Sequence, residues 1–113
     1  MRIKRYTEKD GLYHGELGFM CPGCGCRHFI NDALTDLALL QPDRPVWTFN
    51  NDYDKPTIRA SVLLKYPINK DSVEKMRVCH SFVTDGMIQF LPDCTHKLAG
   101  QTVELPEIEE VKK

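Results

Sequence analysis

Apolar and polar residues alternate in short runs along most of the chain, and glycine, proline, asparagine and aspartate separate the runs. Alternation with a period of two residues predicts β-strands that bury one face and are joined by turns. The predicted strands are residues 46–49, 57–66, 77–84 and 87–91, with a last strand around Val103. Glycines among residues 1–20 predict further short strands and turns in that segment.

The dipeptide Asp85-Gly86 predicts a β-hairpin, because this pair is favoured in the two-residue type I′ turn. The predicted cross-strand partners are Val83 with Ile88, Ser81 with Phe90 and Cys79 with Pro92. The residues that then share one face are Cys79, Ser81, Val83, Ile88 and Phe90, joined by Cys94 if the strand continues. His80 and Phe82 are expected on the opposite face, since successive strand residues alternate.

One segment has helical rather than strand spacing. Apolar residues from Phe29 to Leu40 recur at intervals of three and four, which predicts one amphipathic helix of about three turns. Asn31 or Asp32 is its expected cap. The predicted fold class is therefore α+β: a strand-rich small domain with an antiparallel hairpin and one short helix.

Length and charge narrow the function classes. The chain has 113 residues, and its 15 basic and 16 acidic residues give a net charge of −1. This length predicts a single domain over residues 1–106, followed by a flexible C-terminal tail at 107–113. No overall positive field draws the chain to nucleic acid, so nucleic-acid binding is not favoured as the main function.

No apolar run approaches the roughly 18 residues of a membrane helix, and the basic start lacks the apolar stretch of a signal peptide. We therefore expect a cytoplasmic protein that does not contact the membrane. Thiols stay reduced in that compartment, so a cysteine cluster there indicates metal binding rather than disulfides. The odd count of five cysteines agrees with this interpretation.

The segment Cys21-Pro22-Gly23-Cys24 is the strongest chemical motif. Two cysteines with two residues between them form a knuckle that directs both thiolates at one ion, typically Zn²⁺. The hairpin register favours Cys79 and Cys94 as the second pair. The predicted metal ligands are Cys21, Cys24, Cys79 and Cys94, a four-cysteine Zn²⁺ site like that of a zinc ribbon. Ligand sets in which His28, His80 or His96 replaces one thiolate remain open.

Several motifs in one order carry a family resemblance. They are Cys21-Pro22-Gly23-Cys24 with His28, Trp47-Thr48-Phe49-Asn50, Pro56-Thr57, Cys79-His80-Ser81-Phe82, Asp85 to Leu91 and Asp93 to Val103. Over roughly residues 19–106 the chain resembles a family of small phage and prophage proteins of unknown function, some labelled ammonia monooxygenase. The resemblance implies a phage or prophage origin, hence the host cytosol, and a metal-binding domain. It implies no established reaction.

Three functions follow as hypotheses. The main one is a structural-zinc domain that acts as a protein-interaction module with a protein partner, modulating host machinery, because the predicted ligands leave no open metal position. The alternative is a zinc-dependent hydrolase or nuclease, in which an open metal position activates water. Its residues would be His28, His80, His96 and Asp93. The further alternative is a nucleic-acid-binding module with basic and aromatic strand residues.

Overall fold

Two antiparallel sheets make up the described part of the chain. The computed structural model describes residues 1–11, 14–35, 45–67 and 76–108. Its strands are β1 (Lys4–Tyr6), β2 (Glu16–Cys21), β3 (Cys26–Ile30), β4 (Thr48–Phe49), β5 (Ile58–Pro67), β6 (Met76–Thr84), β7 (Met87–Phe90) and β8 (Thr102–Glu104), with a short 3₁₀ helix at Glu8–Asp10. The first sheet has the order β1-β2-β3 and the second the order β4-β5-β6-β7-β8.

The core is built from the inward faces of both sheets. Phe19 on β2 and Phe90 on β7 are among its largest fully buried side chains. The cluster also contains Ile3, Leu17, Cys21, Ile30, Ile58, Val62, Cys79, Val83, Ile88, Cys94 and Leu105. Three cysteines thus lie in the apolar core, where a thiolate needs a counter-charge.

The predicted hairpin is confirmed. Val83 pairs with Ile88 and Ser81 with Phe90, as the turn requires. Asp85 and Gly86 have φ values of 50° and 80°, the left-handed conformation of both central residues in a type I′ turn. The strand-rich fold class is likewise confirmed, and the structure shows that its strands form two antiparallel sheets.

The predicted helix at residues 29–40 is wrong where the structure describes it. Phe29 and Ile30 belong to β3, which pairs with β2, and residues 31–35 form one hydrogen-bonded turn, from the Thr35 N–H to the carbonyl of Asp32, rather than a helix. Two further contacts fix this segment: the backbone N–H of Trp47 donates to the carbonyl of Asn31, and Arg5 binds the carboxylate of Asp32. Residues 36–40 of the prediction lie outside the described residues. In the described ranges, no helix has the length and apolar character to cross a membrane.

Strand β5 is bulged between Ile58 and Val62. Ile58 pairs with Val83, yet Val62 pairs with Ser81, so the segment between Ile58 and Val62 is bulged against β6. A bulge turns side chains away from their regular direction and is frequent next to active sites. Ser61 lies in this bulge, and the indole of Trp47 donates to its carbonyl at 3.0 Å.

Candidate active site and metal centre

The knuckle joins the end of β2 to the start of β3. Its turn is closed by the Gly25 N–H, which donates to the carbonyl of Cys21 at 2.9 Å, and the Cys24 N–H lies 3.4 Å from the Cys21 sulfur. Gly23 passes directly under the ring of His96: a Cβ at that position would lie 2.3 Å from the ring carbon Cε1. Only glycine lets the ring approach the knuckle this closely.

Four side chains converge beside this turn: Cys21, Cys24, Cys79 and His96. Their ligand atoms all lie within 4.8 Å of one another, close enough to hold a metal ion. The Sγ atoms of Cys21 and Cys79 are 3.8 Å apart. Tetrahedral Zn²⁺ with Zn–S bonds of about 2.3 Å separates two sulfurs by about 3.8 Å, so the spacing fits such an ion.

His96 supplies the fourth group. Its Nδ1 accepts from the backbone N–H of Leu98 at 3.2 Å, while its Nε2 is buried and has no hydrogen-bond partner in the part of the chain that the structure describes. Buried polar atoms are normally satisfied, and an ion in the cluster would satisfy this one. Binding through Nε2 needs the lone pair of that atom, so the ring proton moves to Nδ1 and the bond from Leu98 gives way.

The close thiols perturb each other's protonation. The hydrogen bond with Cys79, assisted by nearby His28, lowers the pKa of Cys21. The same contact with Cys21 and the burial of the thiol raise the pKa of Cys79. Since the thiolate is the metal-binding form, this cluster is already disposed to lose a proton.

The other predicted ligands lie elsewhere. Cys94 is outside the four-atom group, and its sulfur contacts the backbone of His80, 3.2 Å from the nitrogen and 3.2 Å from the oxygen. His28 is buried against the ring of Phe19 rather than in the group. The geometry therefore favours His96 over Cys94 as the fourth ligand.

His80 belongs to a second constellation, on the opposite face of β6. Its Nε2 lies 3.0 Å from Oγ of Ser61, and its Nδ1 lies 3.1 Å from Oδ2 of Asp93. A carboxylate only accepts, so Nδ1 carries the proton and Nε2 accepts the hydrogen bond of the Ser61 hydroxyl. This serine–histidine–aspartate order is the arrangement that activates a serine for attack on an acyl carbon.

The fold explains why these three residues meet. Leu63 pairs with His80, so the bulge two residues before Leu63 brings Ser61 diagonally beside the imidazole. Asp93 follows the end of β7, where the Leu91 N–H donates to the carbonyl of His80 at 2.9 Å. The side chains of His80 and Asp93 retain 23% and 54% of their exposure, so the site is open to a substrate.

The sequence prediction included His80 and Asp93 as candidate catalytic residues but grouped them with His28 and His96 around an ion. The structure places His96 in the cysteine cluster and His80 with Asp93 in the second constellation, while His28 belongs to neither. Ser61 was missed, because it stands in no short nucleophile motif such as Gly-x-Ser-x-Gly. Only the pairing of β5 with β6, which no local pattern reveals, brings the serine to the histidine.

Comparison with protein families agrees with the second constellation. The model of the family described as "Bacterial ubiquitination-like system serine protease (BubE)" matches residues 2–91. This description names an enzyme, so the prediction of a non-enzymatic protein-interaction module is wrong. No curated protein and no solved structure matches the chain. The matched residues make up most of the chain, which therefore belongs to the BubE family of bacterial ubiquitination-like system serine proteases.

Proposed function

We propose that this chain is a serine protease in which Ser61 is the nucleophile, His80 the general base and Asp93 the group that orients the base. The observation that carries the proposal is the imidazole of His80, whose two nitrogens contact the serine and the aspartate at 3.0 and 3.1 Å. Both distances lie within hydrogen-bonding range, as a nucleophile and its base require. The family description, a serine protease, supports the same chemistry.

The reaction follows from these contacts. Nε2 of His80 takes the hydroxyl proton while Oγ of Ser61 bonds to the carbonyl carbon of the peptide. The imidazolium then gives that proton to the leaving amine as the C–N bond breaks, which leaves an ester on Ser61. Water, deprotonated by the same nitrogen, hydrolyses the ester and restores the hydroxyl. Asp93 accepts from Nδ1–H throughout and stabilises the positive imidazolium.

The family description also suggests the biological setting. It places its members in a bacterial ubiquitination-like system. The proposed activity of this chain is accordingly hydrolysis of a peptide bond in a protein of such a system. The phage origin inferred from the sequence resemblance stays a prediction.

The first prediction concerns the nucleophile. A fluorophosphonate reagent should form an adduct on Ser61, located by peptide mass spectrometry, because only a serine paired with a base reacts readily. Ser61→Ala and His80→Ala should lower protease turnover by about 10⁴-fold or more.

Ser81→Ala is the matched control. Ser81 lies next to His80 in sequence but is fully buried, and its hydroxyl has no hydrogen-bond partner among the described residues. Removing an unsatisfied hydroxyl costs little, so this variant should keep both labelling and turnover. A labelled Ser61→Ala protein, or undiminished turnover in that variant, would overturn the proposal.

We further propose that the four-residue cluster binds Zn²⁺ as a structural ion. Three cysteines and one histidine are a closed tetrahedral set, with no position left for water. Catalysis by a serine needs no metal ion. The role of this ion is therefore structural: it connects the knuckle, β6 and the turn at His96.

The second prediction tests this ligand set. Zinc purified with the protein should be about one equivalent per chain, and Cys79→Ser and His96→Ala should each lose it, because four protein ligands are needed to close a structural site. Both variants should also melt at lower temperature, since metal binding contributes directly to folding. Elemental mass spectrometry and thermal melts measure both effects. Cys94→Ser is the control and should stay loaded; loss of zinc from it alone would restore the four-cysteine set.

A further inference from the structure

Strand β5 has one open edge close to Ser61. Its neighbour β4 covers only its beginning, pairing with Ile58 and Arg59. Beyond Arg59, no strand of the described residues pairs with β5 on that side. An open edge of this kind offers unpaired backbone groups to an incoming chain.

The backbone groups that point to this edge follow from the register. The backbone N–H and C=O groups of His80 and Val78 form their hydrogen bonds on the side of β6 that faces away from β5. Their partners lie among residues 91–95. Leu63 and Lys65 lie opposite these two residues. In an antiparallel ladder both partners of such a pair direct their N–H and C=O groups away from each other. Leu63 and Lys65 therefore present their peptide groups to the open edge.

A groove runs along this edge. It has a volume of about 400 Å³ and is lined by residues 26–29 of β3 and residues 64–66 of β5. Within the described ranges, β3 pairs only with β2, so the groove is bordered by the margins of both sheets. The described residues that line the groove include the cations Arg27 and Lys65 and no carboxylate.

Trp47 covers the edge of β5 at Ser61. Its indole donates to the carbonyl of Ser61, the next outward-pointing group after Leu63. A chain lying along the edge would therefore meet Trp47 at Ser61, whose hydroxyl contacts His80.

We propose that the substrate binds in this groove as an extra strand of the second sheet, an inference that rests on the proposed protease function. The peptide runs antiparallel to β5, the slightly more stable pairing. Its residues on the amino side of the cleaved bond then bond to Lys65 and Leu63, and the bond itself reaches Ser61. The preferred substrate is an extended, unstructured segment with an acidic side chain near Lys65 and Arg27, because the groove is basic.

Strand pairing makes a periodic prediction about the substrate. Only every second residue of the bound peptide directs its N–H at β5, since backbone groups alternate along a strand. N-methylation of those residues should lower kcat/KM about tenfold or more, because it removes a hydrogen bond to β5 and the added methyl group clashes with that strand. N-methylation of the residues between them should change it less than about threefold.

The experiment uses the wild-type protein and a library of internally quenched decapeptides, from which the best-cleaved peptide is N-methylated one position at a time. A loss with a period of two residues on the amino side of the cleaved bond is the expected result. Equal losses at every position, or none, overturn the strand-pairing proposal.

A charge exchange tests the acidic preference. Lys65→Glu should lower kcat/KM about tenfold for peptides with an acidic residue four to six positions before the cleaved bond, and raise it for their lysine counterparts. Lys9→Glu, an exposed change outside the groove lining, is the control. Unchanged selectivity in Lys65→Glu would overturn the assignment of the basic groove.

Fluorophosphonate labelling separates this proposal from the one on which it rests. If Ser61 is not labelled, the protease assignment itself fails. If Ser61 is labelled but no extended peptide in the library is cleaved, binding as an extra strand is overturned while the nucleophile stands.

Discussion

At the scale of single residues, Cys94 acts on the active site through the backbone. Its sulfur lies 3.2 Å from both the nitrogen and the oxygen of His80, in a position that is almost fully buried. The thiol can accept from the N–H and donate to the C=O at once, so it holds the backbone of the catalytic base from the side of Asp93. We propose that Cys94 is a positioning residue for His80.

The third prediction is that Cys94→Ala lowers kcat about tenfold with little change in KM, because two weak hydrogen bonds of about 1 kcal/mol each no longer hold His80. Its zinc content should be that of the wild type. Steady-state kinetics on a cleaved peptide and elemental analysis measure both quantities.

Cys94→Ser is the conservative companion, since a hydroxyl can donate and accept at the same position. It should recover most of the lost turnover. The positioning role is disproved if the serine variant is as slow as the alanine variant, or if either change empties the metal site.

At the scale of elements, a buried ion pair fixes the segment after β3. Arg5 on β1 donates both guanidinium nitrogens to Asp32 at 2.8 Å, and Asp32 also accepts from the Leu34 N–H and the Thr35 hydroxyl. Burial of this carboxyl is the largest single effect and opposes its ionisation. The hydrogen bonds and charge of Arg5, together with the Leu34 N–H and the Thr35 hydroxyl, outweigh burial and hold the pKa of Asp32 below the ordinary value. The pair therefore stabilises a turn at residues 32–35, where local sequence favours a helix.

The fourth prediction follows from the sign of that shift. A carboxyl with a lowered pKa in the folded state stabilises the fold at pH values above its ordinary pKa of about 3.9. This stabilisation disappears as the pH falls through the lower folded-state pKa. Asp32→Asn should cost on the order of 3 kcal/mol in unfolding free energy at pH 7, because it leaves Arg5 without its partner. The gap between variant and wild type should narrow below about pH 4.

Urea unfolding at a series of pH values provides the measurement. Glu8→Gln is the control, because Glu8 is exposed and forms no ion pair with any described residue. A difference between Asp32→Asn and wild type that stays constant down to pH 2 would contradict the assigned linkage.

Elements also differ in how well sequence predicts them. The hairpin around Asp85-Gly86 was predicted with its register because two adjacent residues determine the turn. The strand at Phe29 and Ile30 was taken for a helix, because its pairing with β2 and the Arg5–Asp32 contact are tertiary and override local spacing.

At the scale of the whole molecule, sequence predicted three of the four side chains that the structure brings together in the candidate metal cluster. The knuckle at Cys21 and Cys24, and Cys79 on its predicted face, came from spacing and alternation alone. The choice between Cys94 and His96 depends on how residues 91–96 fold back over the knuckle, as the contact of His96 with Gly23 shows. The active site was harder still, because Ser61, His80 and Asp93 meet only through sheet pairing.

The adjacency of Cys79 and His80 has a chemical consequence for the enzyme. A histidine that can remove a proton from a serine can equally remove one from a thiol within reach. Consecutive residues of β6 point to opposite faces, so Cys79 lies buried in the core while His80 faces solvent. The backbone of β6 thus separates the imidazole of His80 from the three clustered thiols. The base can therefore activate the serine without deprotonating the thiol of the neighbouring residue.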